Sequence, residues 1–313
     1  MKLATIRGRD GREGVAAVLN GGRRLLDLGS AHGRVRGGES PALESMVALI
    51  EGGEAALELV RELAEEAPDE AMLDRSAVTL LAPMPVPPQI RDFLAFEEHL
   101  KGAFATAERL TGRHVDIPAV WYQQPIYYKA NRLSVVGCDA DVRWPAYAQL
   151  LDYELELACV IGTRGVDIAP EDAAAHIFGY TIFNDVSARD AQATEMEGQL
   201  GPAKGKDFDT GNVFGPWIVT ADEVGAPYDL TMVARVNGEE WSRGNSGTMH
   251  HRFEDIIAFV SRSETLYPGE ILGSGTVGGG CGLELGRFLN PGDVVELEVD
   301  RIGVLRNRII KAG

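Results

Sequence analysis

Carboxylates and apolar side chains alternate over residues 151–157, which read Leu-Asp-Tyr-Glu-Leu-Glu-Leu. In an extended strand successive side chains point to opposite faces, so Asp152, Glu154 and Glu156 would share one face. Carboxylates about 7 Å apart on that face repel one another unless a cation or water neutralises them. The alternation therefore predicts a divalent-metal site, with a solvated sheet face as the alternative, because antiparallel strands often alternate in the same way.

Hydrophobic segments nearer the N-terminus predict a small separate unit. Residues 15–19 are strand-like and turn at Asn20-Gly21-Gly22 into residues 25–28, which is the pattern of a hairpin. Residues 43–67 are rich in Ala, Leu and Glu, and they predict two helices with a break at Gly52-Gly53.

The proline-rich residues 83–88 mark a boundary, because proline lacks a backbone donor and restricts the residue before it. We therefore expect a small N-terminal α/β domain at residues 1–82 and a catalytic domain at residues 83–313. Beyond the boundary, short apolar segments are separated by Gly, Pro, Asn and Asp, with helices predicted at residues 170–178 and 253–261 among a few others. Such frequent breaks are typical of an α+β fold with predominantly mixed β-sheet rather than of alternating βαβ units.

Residues 273–278 fit the GxGxxG pattern of dinucleotide-binding proteins, but the context argues against such a site. A fingerprint of that kind opens a helix, whereas here more glycines follow and residues 283–285 look extended. A glycine-rich loop also lets the backbone approach a ligand closely, which suits the wall of an active site.

Composition narrows the class of protein. Of 313 residues, 47 are acidic and 30 basic, and a net charge of −17 would repel nucleic acid and anionic membranes, so neither is expected as a partner. Residues 1–7 lead into charged residues rather than a signal-peptide core, and no apolar run of about 18 residues occurs, so we expect a cytoplasmic protein. Cys138, Cys159 and Cys281 lack the spacing of a disulfide framework or a zinc site and are interpreted as small apolar filler.

Further polar residues gather around the ends of apolar segments. Residues 184–190 read Asn-Asp-Val-Ser-Ala-Arg-Asp after an apolar stretch, which puts Asp185 at a strand end, where ligands are often bound. Lys206 follows downstream, and Asp92 lies seven residues before His99. None of these residues is specific alone, because His99 could lie on an ordinary helical surface and Lys206 in a solvated loop.

Together with the Glu-x-Glu segment, these patterns resemble the fumarylacetoacetate hydrolase family, whose members use a carboxylate-bound divalent metal on 2-oxo acids and 1,3-diketones. The resemblance covers about residues 83–313 and is closer to the members that carry a histidine–glutamate pair, because Glu284 stands eight residues after Thr276. It implies the mixed β-sandwich or roll of that family and a homodimer.

The resemblance also implies roles for individual residues. The metal ligands would be Asp92, Glu154, Glu156 and Asp185. The catalytic residues would be His99, Glu284 and Lys206. The substrate-binding residues would be Tyr128, Gln192, Arg109 and Thr276. Arg109 is one position out of register, and Met196 stands where the family's prototype has a tyrosine, so the substrate need not be fumarylacetoacetate.

Four carboxylates form an all-oxygen shell, which suits Mg²⁺ best, with Ca²⁺ or Mn²⁺ as alternatives. Such an ion can hold both oxygens of a 2-oxo acid or diketone and polarise the carbonyl. His99 would then take a proton from water, Glu284 would fix its tautomer, and Lys206, helped by Gln192, would stabilise the oxyanion.

These roles predict hydrolysis of a carbon–carbon bond in a 1,3-diketone or acylpyruvate. Two alternatives stay open. One is a hydratase, dehydratase, decarboxylase or hydrolase acting on a 2-oxo acid such as a 2-keto-3-deoxy sugar acid, and the other is a non-catalytic metal-binding protein.

Overall fold

The computed structural model describes residues 1–112 and 114–311. Within them, many short apolar segments form β-strands. Numbered in chain order, these strands are β1 (Lys2–Arg7), β2 (Glu13–Leu19), β3 (Arg24–Asp27), β4 (Met72–Asp74), β5 (Thr79–Leu80), β6 (Ile90–Phe93), β7 (Tyr127–Ala130), β8 (Val135–Val136), β9 (Asp141–Trp144), β10 (Leu151–Asp152), β11 (Leu155–Ile161), β12 (Ile177–Asp185), β13 (Ser187–Ala188), β14 (Asn212–Thr220), β15 (Thr231–Val236), β16 (Glu239–Asn245), β17 (Ile271–Gly273), β18 (Val294–Val299) and β19 (Gly303–Lys311). The α-helices are α1 (Leu28–Val35), α2 (Met46–Glu51), α3 (Gly53–Glu66), α4 (Glu97–Thr111), α5 (Ala119–Gln123), α6 (Arg189–Met196), α7 (Ala221–Val224), α8 (Phe253–Val260) and α9 (Gly282–Leu285).

Most of the strands belong to one large sheet. Its main path runs in the order β4-β3-β2-β1-β14-β12-β11-β17-β6-β7, with β5 beside β1 and β8 beside β14. Most neighbours are antiparallel, whereas β17 pairs with β6, and β8 with β14, in parallel. The predicted class, an α+β fold with predominantly mixed β-sheet, is therefore confirmed.

A second sheet, in the order β16-β15-β18-β19-β9, shares a core with one face of the large sheet. Leu155 and Leu157 of β11 belong to that core, whereas Ala158 and Val160 belong to the core around α2 and α3. Because β11 is buried on both faces, Glu156 is 0% exposed. The alternative of a solvated sheet face is therefore wrong.

The N-terminal elements follow the sequence pattern closely. Strands β2 and β3 form the predicted hairpin, and α2 and α3 meet at Gly52-Gly53. The pattern does not indicate β1, whose Lys2 pairs with Val219 of β14 and so joins the hairpin to the large sheet. Such long-range pairing leaves no local signal in the sequence. The domain division after residue 82 stays a prediction.

Two local expectations in the catalytic part were wrong. Residues 170–178 form only a 3₁₀ turn at Ala173–His176, because β12 takes the chain from Ile177 onward. Residues 283–285 are not extended but lie in the short helix α9, whose first N–H groups are held by the side chain of Asp152. The helix expected at residues 253–261 is present as α8. Among the described helices, none is both long and apolar enough to cross a membrane.

The core between β12 and β14 offers a test of the packing. Phe183 and Phe214 stack there with 4.2 Å between ring centroids, and both are fully buried. Phe214→Ala should lower the free energy of unfolding by about 3–5 kcal/mol, because the cavity it leaves cannot close fully. Leu133→Ala, at a side chain 72% exposed, should change it by less than about 0.5 kcal/mol. Urea unfolding followed by circular dichroism measures both, and similar losses for the two variants would contradict this packing.

Candidate active site

Three neighbouring strands bring carboxylates together over one glycine. Gly273 of β17 pairs with Asp92 of β6 on one side and with Ala158 of β11 on the other. A side chain at Gly273 would overlap Asp92 Oδ1 and would approach Glu156 Oε2 to 3.0 Å. The glycine therefore leaves the space in which Asp92 and Glu156 meet, and Asp185 joins them from the end of β12.

We call Asp92, Glu156 and Asp185 the carboxylate cluster. Each is at most 5% exposed, and their ligand oxygens lie within 4.8 Å of one another. Within the described residues, Asp92 Oδ1, Glu156 Oε1 and Asp185 Oδ1 have no hydrogen-bond partner. Buried, unpartnered oxygens so close together are the donor set of a hard divalent cation. The cluster therefore fits the predicted metal, and these three side chains would hold it.

Burial and mutual repulsion change the proton affinity of the cluster. Burial raises the pKa of Asp92 to about 6. Burial, together with the neighbouring Asp92, raises the pKa of Glu156 well above its usual range. Burial also raises the pKa of Asp185, although Lys206 opposes the rise. Without a cation the cluster binds protons instead, so a divalent cation and protons compete for it.

Two buried cations lie beside the cluster and share Glu154. Lys206 Nζ donates to Glu154 and, at 2.6 Å, to Asp185 Oδ2. Arg189 Nη2 lies 2.7 Å from Glu154 Oε1. Burial alone would raise the pKa of Glu154, but Lys206 and Arg189 hold it well below its usual range. Glu154 is therefore ionised and anchors both cations, and its role as a fourth metal ligand stays a prediction.

His99 and Glu284 form a buried pair between α4 and α9. The ring atom Nδ1 of His99 lies 2.8 Å from Glu284 Oε1. Gly102 of α4 makes room for this contact, since an added Cβ there would be 2.5 Å from Glu284 Oε2. A carboxylate oxygen accepts in this contact, so His99 Nδ1 is the donor, and Nε2 of the neutral ring has the lone pair that can act as a base. The structure joins these two residues, and their catalytic roles stay predictions.

Glu284 is itself held by two further donors. The backbone N–H of Gly279 donates to Glu284 Oε2 at 2.9 Å, and Cys281 Sγ lies 3.5 Å from Glu284 Oε1. Burial raises the pKa of the Cys281 thiol well above its usual range, which keeps the thiol neutral and able to donate. Cys281 is buried like a filler residue, but it also contacts the His99 partner, a contact that no spacing in the sequence indicates.

Two of the predicted substrate-binding residues lie next to the cluster or its cations. Tyr128, opposite Asp92 on β7, donates its hydroxyl to Asp185 Oδ2 at 2.7 Å. Gln192 accepts from Arg189 Nη1 at 3.0 Å and is half-buried. Both side chains are thus linked to residues of the site, and their contacts with a substrate stay predictions.

The other two predicted substrate-binding residues differ in position. Thr276 is buried in the loop after β17, where the neighbouring Gly275 N–H donates to Glu156 Oε2 at 3.1 Å. Arg109 lies on the exposed surface of α4 and donates to Thr106 Oγ1 at 2.6 Å. In residues 1–112 and 114–311 no hydrogen bond connects Arg109 to the cluster, so the structure does not bring it to the site. Its role stays a prediction.

Asp152 does not join the cluster, although the alternating pattern puts it on one face with Glu154 and Glu156. Asp152 pairs with Ser187 in the small β10–β13 sheet, whereas Glu154 pairs with Cys281. The carboxylate of Asp152 instead accepts from α9 and from Arg189, a contact that the sequence pattern did not reveal.

The fold and the site together define a class of protein in which a mixed β-sheet carries a buried carboxylate cluster that fits a divalent cation. Residues 89–310 match the fumarylacetoacetate (FAA) hydrolase C-terminal domain. The chain belongs to the fumarylacetoacetate hydrolase family, which confirms the resemblance seen in the sequence.

Similar proteins have several activities. The chain is 37% identical over 270 residues to human mitochondrial oxaloacetate tautomerase FAHD2A, covering 85% of this chain and 80% of that protein. The structure of fumarylacetoacetate hydrolase from Exiguobacterium antarcticum matches with a TM-score of 0.76 at 30% identity, covering 100% of both chains. Maleylpyruvate hydrolase from Sphingobium sp. SYK-6, solved with manganese(II) and pyruvate, matches with a TM-score of 0.76 at 24% identity over 100% of both chains and shows the shared fold.

Filling the space over Gly273 should weaken metal binding. Gly273→Ala places a methyl group against Asp92 Oδ1 and 3.0 Å from Glu156 Oε2, so the affinity for Mn²⁺ in isothermal titration calorimetry should fall by roughly tenfold or more. Gly14→Ala in β2, where nothing lies within 4 Å of an added Cβ, should leave it unchanged. Wild-type affinity in folded Gly273→Ala protein would show that the ion binds elsewhere.

Metal affinity should fall as the pH drops through about 6, because Asp92, with its pKa raised to about 6 by burial, then holds a proton. In the metal-free protein the same group binds its proton more tightly in the folded than in the unfolded chain. It therefore stabilises the fold below about pH 4, and this contribution is lost as the pH rises to about 6. Asp92→Asn should lack this contribution. Titration calorimetry with Mn²⁺ between about pH 4 and 7 measures the metal affinity, and an affinity independent of pH would contradict the prediction. Urea unfolding of the metal-free protein over the same pH range measures the stability.

Proposed function

We propose that this protein is a divalent-metal-dependent enzyme that interconverts the keto and enol forms of a small 2-oxo dicarboxylic acid of the oxaloacetate type. The observation that carries the proposal is the buried His99–Glu284 pair, which supplies one base. The pair is linked to the buried carboxylates, because Cys281, which contacts Glu284, pairs with Glu154. The relatives named oxaloacetate tautomerases, such as the human protein at 37% identity over 85% of this chain, support the choice of substrate.

Asp92, Glu156 and Asp185 would hold the cation, with Glu154 as the fourth predicted ligand. When bound, the cation polarises the 2-oxo group and makes the neighbouring C–H more acidic. The protein needs to add only one proton carrier to this arrangement, because the same proton leaves carbon and arrives on oxygen.

We assign the role of that carrier to His99. Its Nε2 lone pair takes a proton from the carbon next to the 2-oxo group, the electron pair of the broken C–H bond forms the C=C bond, and the carbonyl oxygen receives the proton from the imidazolium. Glu284, which accepts from Nδ1 at 2.8 Å, stabilises the imidazolium and keeps the ring in one orientation. The reaction runs equally in the opposite direction.

Lys206 is suited to stabilise charge that develops on the substrate oxygen. Burial alone would lower the pKa of Lys206, but Asp185 and Glu154 raise it above its ordinary value, so the ammonium is protonated. Among the residues that the structure describes, two carboxylates accept from it. An ammonium has three N–H groups, so the third would be available to a substrate. Tyr128 donates to Asp185 and would help to fix that carboxylate.

This third N–H of Lys206 favours a second candidate, hydrolysis of a carbon–carbon bond in an acylpyruvate or 1,3-diketone. In that reaction His99 would take the proton from water, and Lys206, with Gln192, would stabilise the oxyanion that forms. The Exiguobacterium antarcticum fumarylacetoacetate hydrolase, 30% identical, supports this candidate. Tautomerisation ranks first because it needs one base and no second reactant.

The all-oxygen cluster makes Mg²⁺ our proposed physiological ion, with Mn²⁺ or Ca²⁺ able to replace it. The homodimer and the cytoplasmic location implied by the sequence stay predictions.

The decisive assay measures turnover of each substrate by the metal-stripped protein, and again after Mg²⁺, Mn²⁺ or Ca²⁺ is added. We expect metal-dependent loss of the ultraviolet absorbance of enol-oxaloacetate, without release of carbon dioxide. His99→Gln should slow it by about 10²–10⁴-fold with Mn²⁺ affinity retained, because only the proton carrier is lost. His32→Gln, at an N-terminal histidine bonded to Gly38 O, should behave as wild type.

Acylpyruvates, fumarylacetoacetate and 2-keto-3-deoxy sugar acids complete the panel. Two cleavage products from a diketone, with enol-oxaloacetate unaffected, would overturn the tautomerase proposal in favour of the hydrolase. A lyase would be favoured if carbon dioxide were released, or if a sugar acid were the only substrate consumed. Full activity of His99→Gln on any substrate would contradict the assignment of the base.

A further inference from the structure

We propose that Asp152 is a positioning residue that, through Arg189, fixes the His99–Glu284 pair relative to the carboxylates beside the metal site. We call Asp152 and Arg189 the buried tie. Neither residue needs to touch the substrate for this role. The inference rests on the proposed function only for its rate measurement.

One end of the buried tie holds the helix that carries Glu284. Asp152 is 0% exposed, and its Oδ1 and Oδ2 accept from the backbone N–H groups of Gly282 and Leu283 at 2.7 and 2.9 Å. These N–H groups open α9, two positions and one position before Glu284. An added Cβ at Gly282 would lie 2.5 Å from Asp152 Oδ1, so the carboxylate packs directly against the start of this helix.

The other end of the tie reaches the carboxylates beside the metal site. Arg189 Nε donates to Asp152 Oδ2 at 2.9 Å, and Nη2 lies 2.8 Å from the same oxygen. The same Nη2 lies 2.7 Å from Glu154 Oε1. Glu154 in turn holds Lys206, which also binds Asp185. A continuous set of contacts therefore runs from α9 to the carboxylate cluster.

The local fold explains why the tie forms. In the two-stranded sheet Asp152 pairs with Ser187, and Leu151 pairs with Ala188. This pairing places the end of β10 beside the first residue of α6, which is Arg189. The guanidinium is 7% exposed. Its Nε hydrogen-bonds to Asp152, whereas Nη2 makes ion-pair contacts with Asp152 and Glu154 without an aligned hydrogen bond. A planar guanidinium held between two buried carboxylates resists reorientation more than a flexible ammonium would.

A role in stability alone and a positioning role predict different results. If Asp152 only stabilised the fold, its loss would lower the amount of folded protein and leave the folded molecules fully active. If it positions Glu284 and Glu154, its loss changes the metal affinity and the state of the His99 ring in molecules that are still folded.

Asp152→Asn is the first test. It keeps the shape of the side chain but places an amide N–H₂ group against the N–H donors of α9 or Arg189. We expect Mn²⁺ affinity and kcat each to fall by about 10- to 100-fold, with KM changed less. The ¹⁵N signals of His99 can be assigned by their absence in His99→Gln. In wild type they should report the Nδ1–H tautomer, and in Asp152→Asn they should report a mixture of the Nδ1–H and Nε2–H tautomers. Asp190→Asn, at a carboxylate that accepts from Gln149 and Leu150 N–H at 2.8 and 3.4 Å, should leave all three readouts unchanged.

A double-mutant cycle tests the connection to Glu284. If Asp152 acts through α9, the loss of kcat caused by Asp152→Asn should shrink to about threefold or less in the Glu284→Gln background. Fully additive losses would contradict this arm of the proposal. Folded Asp152→Asn protein with wild-type Mn²⁺ affinity and wild-type His99 signals would overturn the proposal as a whole.

Arg189→Lys provides the test if Asp152→Asn does not fold. It keeps the positive charge but cannot contact both carboxylates as a fork, so Mn²⁺ affinity should fall about tenfold while the His99 signals stay as in wild type. Unchanged Mn²⁺ affinity would overturn the proposal. The metal and ¹⁵N measurements need no substrate, so they stay informative even if oxaloacetate is not turned over.

Discussion

Burial of excess negative charge is the constraint on which this site depends. Five carboxylates at most 5% exposed lie together in and beside the large sheet: Asp92, Asp152, Glu154, Glu156 and Asp185. Arg189 and Lys206 compensate two of these charges, so three remain. Buried charges without partners are costly, and the protein can meet this cost only with protons or with a cation. The raised pKa values of the cluster describe the metal-free protein, in which protons neutralise the carboxylates. The proposed enzyme works with the cation bound.

The fold makes this concentration of charge possible by leaving out side chains at two positions. Gly273 on β17 lets the carboxylates of the two flanking strands meet, and Gly102 of α4 lets Glu284 pack against that helix. His99 then hydrogen-bonds to Glu284 rather than to a carboxylate of the cluster. The site therefore separates two tasks, holding a cation and carrying a proton, on different elements of one fold.

Much of this site could be inferred from the sequence, because spacing within a segment survives folding. The family resemblance carried by such spacing singled out Glu154, Glu156, Asp185 and Lys206, together with Asp92 and His99, and their roles stay predictions. Asp152, the first carboxylate of the alternation at residues 151–157, lies outside the cluster and instead contacts Arg189 and the start of α9. Contacts across long sequence distances, such as Asp152 with Gly282 or β1 with β14, have no periodic signal and required the structure.

Whether the carboxylate cluster holds a divalent cation can be seen by anomalous diffraction. Crystals grown with Mn²⁺ and measured at the manganese absorption edge should show one strong peak bonded to oxygens of Asp92, Glu156 and Asp185. A protein that binds Mn²⁺ only at other positions, or a cluster that stays free of it at saturating concentration, would contradict the account.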